Sequence, residues 1–292
     1  MTTFINSKGL PTPVLQLCET INNAYDKGEC DISTTELIGE PLQRILKREY
    51  AEELVEDIAD YQHRMIGSVL HDALCMMDGD KDSYSEQRLF IDVGGWIVSG
   101  EPDYYIKLKS NKLIDYKYTA KYKTKDGVPE EWQKQINIYA HMLIQHNKPV
   151  DVMQFCVWYR DAYAKRGDAL VELIECPAYT QEQIADYLLK RVKYHQVSDP
   201  DWNELIDLDC VPECSEKARY HVPKKFALMK TGRKSAIKLY DSREDAEANK
   251  EKNGGKGFYI QERDETNDMC TTYCIVAEHC QYEQARRGDE KT

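Results

Sequence analysis

The segment from Gly100 to Lys117 constrains this chain more than any other. Tyr104-Tyr-Ile-Lys-Leu108 and Leu113-Ile-Asp-Tyr-Lys117 are short apolar-rich runs around a Ser110-Asn111 turn, the pattern of a β-hairpin. Asp115 and Lys117 are two apart on the second arm, so both side chains leave the same face. Asp103 stands just before the first arm, and the fold-back brings it beside them. Two acids and a lysine on one face of an apolar strand require a sheet stiff enough to hold like charges together. Parity tests this reading: opposed positions share a face only if their numbers sum to an even value, or if a bulge restores that parity.

The periodicity changes on either side of the hairpin. Residues 35–78 keep helical spacing, through Leu37, Leu42, Ile45 and Leu46 and then Leu54, Ile58, Met65, Val69 and Leu70, up to the turn cluster Met77-Asp-Gly-Asp80. Strands follow over 88–93 and 96–100, joined at Gly94-Gly95. A long helix over about 130–146 carries Ile136, Tyr139, Met142 and Leu143 on one face. Strands at 152–159 and 170–174 and a helix at 180–194 complete the pattern. This order gives an α/β fold with a mixed central sheet flanked by helices. Asp199-Pro200 starts a break. Beyond about 204 come strands at 226–230 and 236–240, a helix at 243–252 and a strand at 258–262, a small α+β unit. The chain therefore divides into an N-terminal extension (1–34), a core (35–203) and a C-terminal unit (204–292).

Asp103 and Asp115, with the carbonyl of Tyr116, form a hard oxygen site suited to Mg²⁺ or Mn²⁺. Such an ion polarises a phosphate oxygen and activates water, and Lys117 is placed to position that water or to offset developing charge. An Asp-x-Lys alone is a weak signal, since any half-exposed strand can carry one.

The surrounding residues add to it. Gly67-Ser-Val-Leu-His71 falls on the helix before the strands, Glu86 just ahead of the first strand, and Gln135-Ile-Asn-Ile-Tyr139 on the helix after the hairpin. In order and spacing, His71, Asp103, Asp115, Lys117, Gln135 and Tyr139 resemble the PD-(D/E)XK nuclease superfamily, and within it the RecB-like exonucleases, over residues 35–160. The resemblance implies a restriction-endonuclease-like core, with His71 as an added metal ligand and Glu86 as a helper acid. It implies that Gln135 and Tyr139 orient Lys117 or contact the DNA backbone. The implied activity is hydrolysis of DNA phosphodiesters on single strands or duplex ends, in recombination, repair, replication or CRISPR-type processing. Phage-borne nucleases share this look, and a recombination or replication protein is the implied partner. Two other readings stay open: a catalytically silent, metal-stapled DNA-binding recombination module, and an endonuclease of the same superfamily.

The ten cysteines divide by spacing. Cys270-x₃-Cys274-x₅-Cys280 is compact enough for a metal site, with Cys214 as the fourth ligand and Cys210, His221 and His279 as lesser candidates. Cys18, Cys30, Cys75, Cys156 and Cys176 read as free thiols. Iron–sulfur members of the RecB-like group place three C-terminal cysteines with a similar five-residue gap and a fourth before the core. Here the equivalent stretch, Leu37-Ile-Gly-Glu-Pro-Leu42, has no cysteine, so a [4Fe–4S] cluster and a structural Zn²⁺ both remain. Either fastens the C-terminal unit.

Among the 292 residues, 39 are Lys or Arg and 51 Asp or Glu, a net charge of −12. That argues against a protein that coats nucleic acid. Yet residues 107–126 hold seven lysines against Asp115 and Asp126, with tyrosines between them. Lys107, Lys109, Lys121, Lys123 and Tyr139 are the candidate DNA contacts. A second patch comprises Lys224, Lys225, Lys230, Arg233, Lys234 and Lys238. The start has no basic and apolar leader, and no window reaches the roughly 18 apolar residues of a membrane helix. The expected location is the reducing cytoplasm, that of the host if the chain is phage-encoded, where clustered cysteines bind metal more often than they form disulfides.

Overall fold

Residues 2–24, 26–76, 83–85, 87–107 and 109–289 are described in the computed structural model. They divide into two units, Met1–Pro212 and Glu213–Thr292. In the first, β1 (Thr3–Ile5), α1 (Thr12–Ala24), β2 (Ile32–Ser33), α2 (Thr34–Ile38), α3 (Pro41–Glu49), β3 (Val55–Asp57) and α4 (Ile58–Cys75) come before the main strands. These are β4 (Ser83–Ser85), β5 (Leu89–Val93), β6 (Trp96–Gly100), β7 (Tyr104–Ile106) and β8 (Lys112–Thr119). The unit continues with α5 (Glu130–Gln145), β9 (Val152–Tyr159), β10 (Val171–Glu175) and α6 (Gln181–Val197).

The expected helical stretch over 35–78 is three helices, because the chain punctuates itself. Ser33 and Glu36 form a capping box that starts α2. Pro41 sits at the start of α3, where its missing N–H costs nothing. The Asp57 carboxylate accepts from the Ala59 N–H to start α4. The turn expected at 77–80 lies outside the described residues. Segment 1–34 is built into this unit: β1 pairs in parallel with β3, and Cys18 of α1 packs against Ile58 and Tyr61 of α4.

Two sheets result. One has the order β10-β9-β8-β7-β4 and the other β2-β6-β5. β8 and β9 run parallel over eight residue pairs, with α5 as the crossover between them, and the other pairings of the larger sheet are antiparallel. The fold is mixed α/β. Its core joins Leu113, Phe155 and Val157 of the sheet to Ile136, Ile138 and Met142 of α5 and Ile184, Leu188 and Val192 of α6.

In the hairpin Tyr104 faces Ile114 and Tyr105 faces Leu113, an even-sum register with no bulge. Continued by one step, it sets Asp103 opposite Asp115, on one face.

In the second unit, β11 (His221–Val222), β12 (Lys225–Lys230), β13 (Lys238–Tyr240), α7 (Arg243–Lys252), β14 (Phe258–Arg263), β15 (Thr266–Asn267) and α8 (Gln281–Asp289) follow in order. β12 lies between β13 and β14, antiparallel to both, and Ala227, Leu228 and Ala246 are buried. The pair β11–β15 and a five-residue π-turn at Met269–Tyr273 lead into the cysteine segment. Residues 204–212, expected in this unit, belong to the first.

Candidate active site

Asp115 occupies the middle of β8 with 0% of its surface exposed. Its Oδ2 lies 2.6 Å from Lys117 Nζ, while Oδ1 is buried without a hydrogen-bond partner. Burial pushes this carboxyl up to about 7; Lys117 opposes the rise and Asp103 adds to it. For Lys117, burial favours the neutral amine, but Asp115 and Asp103 outweigh it and hold the ammonium above its ordinary value. The pair is thus a buried carboxyl whose charge burial disfavours and the adjacent ammonium favours.

A chain of contacts runs on from the lysine. Lys117 Nζ donates to Gln135 Oε1 at 3.0 Å, and Gln135 Nε2 donates to the Tyr139 hydroxyl at 3.0 Å. Both partners come from α5, one turn apart, so a single helix face holds the ammonium in place. The Lys117 ammonium also lies 5.8 Å from the centre of the Trp132 ring. Trp132 precedes Gln135 by three residues and completes this face. Tyr139, expected also at the DNA backbone, is only 5% exposed and stands behind Gln135.

Asp103 is held from two sides. Its Oδ2 accepts the Tyr116 N–H at 2.7 Å, and its Oδ1 lies 3.1 Å from His71 Nε2. His71 arrives on α4, which lies along β8, with its ring edge-on to Tyr116 at 6.2 Å. The structure therefore brings together His71, Asp103, Asp115, Tyr116, Lys117, Gln135 and Tyr139. Of these, His71, Tyr116 and Lys117 line a cleft of about 460 Å³, together with His63, Arg64, Ser68 and Asp72 of α4. Glu86 lies outside the described residues.

Sequence reasoning passed over Trp132, the α4 residues His63 and Arg64, and Gly100. The signal for the α4 face was His63-x₃-Gly67-x₃-His71, a helical stripe. At Gly100 a Cβ would stand 2.5 Å from Met142 Sδ and 3.0 Å from Tyr139 Cε1, so glycine lets α5 lie close to β6.

The lysine-rich stretch does not form one patch. Lys107 and Lys109 are exposed before β8, while Lys121 and Lys123 lie beyond its other end, roughly 20 Å away along an eight-residue strand. Lys121 pairs with Asp168 at 3.3 Å and Lys123 with Glu131 at 3.0 Å.

Among the described residues, no three His, Cys, Asp or Glu side chains converge closely enough to enclose a metal ion. The donor chemistry at Asp115 still fits a divalent cation: a buried carboxylate oxygen with no donor, faced by a second carboxylate and an imidazole. None of the ten cysteines is in a disulfide. Burial and then the neighbouring Cys274 push the Cys270 thiol up to about 11, with Glu283 and Cys280 adding. Arg219 opposes that rise and also donates to the Cys214 carbonyl at 2.9 Å. Cys214 and Cys270 thus both lie near Arg219 in the second unit, Cys214 through its backbone carbonyl, and among the described residues no three of the four thiols converge on one point. Cys210 lies in the first unit, exposed.

No family model matches the chain, and no curated protein matches it. Among solved structures it is similar to SSO0001, at 17% identity and a TM-score of 0.44, over 62% of this chain and 83% of that one. It is also similar to a candidate exonuclease from Eubacterium rectale, at 12% identity and a TM-score of 0.34, over 70% of this chain and 79% of that one. The functional reading therefore rests on the site itself.

Proposed function

We propose that this protein is a divalent-metal-dependent deoxyribonuclease, an exonuclease acting on single strands or duplex ends. The observation that carries this reading is the buried Asp115 carboxylate, orphaned at Oδ1, coupled to a lysine that two α5 side chains hold in place. Asp103, Asp115 and the Tyr116 carbonyl, with His71, would hold Mg²⁺ or Mn²⁺, which supplies an activated water and charge neutralisation at the phosphate. Lys117 keeps its ammonium at the reacting face, where it orients water and offsets charge on the phosphoryl oxygens. Gln135, Tyr139 and Trp132 restrict its motion, so little reorganisation is left for the moment of reaction. His71 steadies Asp103, while Arg64 on the α4 side of the cleft is engaged by Glu56 and the Tyr61 ring. In the second unit, Cys214, Cys270, Cys274 and Cys280 would hold an iron–sulfur cluster or Zn²⁺ whose work is structural.

The test is cleavage of end-labelled single-stranded and duplex DNA, and of closed circles, with Mg²⁺ or Mn²⁺. Linear substrates should be degraded from their ends and circles spared. Asp115→Ala should lower the rate by at least about 10²-fold. Unchanged cleavage by that variant would refute the nuclease reading, and cutting of closed circles would convert it to an endonuclease.

A further inference from the structure

The second unit carries its own charge pattern. Residues 213–292 hold 16 Lys and Arg against 15 Asp and Glu, so the chain's acidic surplus lies in the first unit. Within the three-stranded sheet these charges are sorted by end. β12 finishes at Lys230, opposite Phe258, and β13 starts at Lys238. α7 returns to this same end before 253–257 leads into β14. The turns 231–237 and 253–257 meet there, with the Thr231 N–H donating to the Gly257 carbonyl at 2.9 Å.

Seven cations therefore gather at one end: Lys230, Arg233, Lys234 and Lys238 on the hairpin, and Lys250, Lys252 and Lys256 around the end of α7. The single carboxylate in these two segments is Glu251. Among the described residues, none of the seven is in an ion pair. The opposite end is neutralised: Lys224 pairs with Glu262 at 3.0 Å, Arg243 with Glu262 at 2.7 Å, and Lys225 with Asp241. Folding has paired Lys224, Lys225 and Arg243 at one end and left the seven cations unmatched at the other.

The two turns also suit close approach to a charged backbone. Gly232 and Gly257 hold φ of 80° and 82°, and a Cβ at either would meet no atom within 4 Å. The loops thus stand uncovered, with Arg233, Lys234 and Lys256 on an open surface. The neighbouring rings are occupied: Lys230 lies over Phe258 at 5.5 Å and Lys238 over Tyr240 at 5.1 Å. An end that is rich in cations and has its rings covered fits phosphates better than stacked bases, and duplex DNA presents phosphates most densely, about one charge per 1.7 Å.

We infer that this end of the second unit is a separate, sequence-independent binding site for the phosphate backbone of duplex DNA. It draws on the nuclease reading only for the choice of polyanion. The test is fluorescence anisotropy of the full chain with labelled duplex or single-stranded DNA, in EDTA, across a salt series. Arg233→Ala/Lys234→Ala/Lys256→Ala alters only exposed turn residues and should keep the thermal melt. It should weaken duplex binding at least about tenfold, and the slope of log K against log[salt] should become shallower by roughly 2–3. Lys224→Ala/Lys225→Ala/Arg243→Ala removes the same charge from the paired end and should change duplex binding far less. In the unaltered protein, duplex DNA should shield Lys234 and Lys256 from acetylation.

The inference is overturned if the turn variant binds duplex DNA with unchanged affinity and slope, or if both triple variants lose equally. It is also overturned if only single-stranded DNA, or only anionic phosphatidylserine vesicles, respond to the turn substitutions. Because no cleavage occurs in EDTA, a failure of the nuclease reading, detected with Asp115→Ala in Mg²⁺, leaves this result standing, and the reverse holds.

Discussion

Asp115 sets a pH signature that separates it from the rest of the protein. Its folded carboxyl titrates at about 7 and its unfolded one near 3.8, so the folded state keeps the proton longer. The stability tied to this group is fully present below pH 3.8 and is lost as pH rises towards 7. In metal-free protein, Asp115→Asn should abolish that slope. Its melting temperature should gain on the parent's from about pH 4 to 7 and run parallel above. Thermal melts in EDTA check this, and a constant difference across that range would show that Asp115 titrates normally. At the same scale, the site was partly legible in the sequence. The Asp115–Lys117 and Gln135–Tyr139 spacings each placed two side chains on one face by periodicity, while the even-sum register that sets Asp103 beside Asp115 came only with the fold. Trp132 and Gly100 were not legible, because their roles depend on how closely α5 approaches the sheet.

Between elements, the layer behind the sheet depends on a buried polar junction between α3 and the end of α6. His195 is fully buried; its Nδ1 receives Arg44 Nε at 3.3 Å, and its Nε2 lies 3.1 Å from the Leu37 carbonyl. That arrangement needs the neutral ring with its proton on Nε2. Burial, with Arg191 and Arg44 nearby, lowers the imidazole to about 3. For Asp199, burial alone favours the neutral acid, but Arg48 and Arg44 hold the carboxyl down to about 2. Both folded values are depressed, so this stability is present at neutral pH. The His195 share is lost as pH falls from about 6.5 towards 3. His195→Gln should flatten the fall in urea midpoint between pH 6.5 and 4, the opposite sign to the Asp115 effect. An unaltered pH profile would remove His195 from this role. Most strands and helices longer than about five residues were readable from periodicity, but α1 and α8 were not read. The parallel pairs β1–β3 and β2–β6 were not, since two or three residues carry no period and their partners lie far away in sequence.

For the whole molecule, the two units differ in what they carry. The first holds Asp103, Asp115 and the acidic surplus, and the second holds Cys214, Cys270, Cys274 and Cys280. Protein purified without oxygen should contain iron or zinc in roughly one-site amounts. Cys274→Ser should remove it and lower the calorimetric transition of the second unit by about 10 °C or more, with the first transition little changed. Absence of both metals from the parent protein would remove the metal staple. The lysine run at 107–125 shows why charge cannot be located from sequence alone: a strand of eight residues separates its two halves, and two of its lysines are engaged by distant carboxylates.

Asp103 has a second consequence, concerning self-association. Among the described residues, β7 covers β8 only as far as Ile114, so the edge of β8 beyond it has no strand partner on that side. The Asp103 carboxylate takes the first exposed donor there, the Tyr116 N–H. It therefore blocks a strand edge as well as facing Asp115. Removing it leaves an open donor on an exposed edge, the feature that lets strands from separate chains add to one another. A defect in an Asp103 variant thus mixes lost chemistry with aggregation. Asp115 carries no such second duty, and it is the cleaner residue on which to judge the reaction.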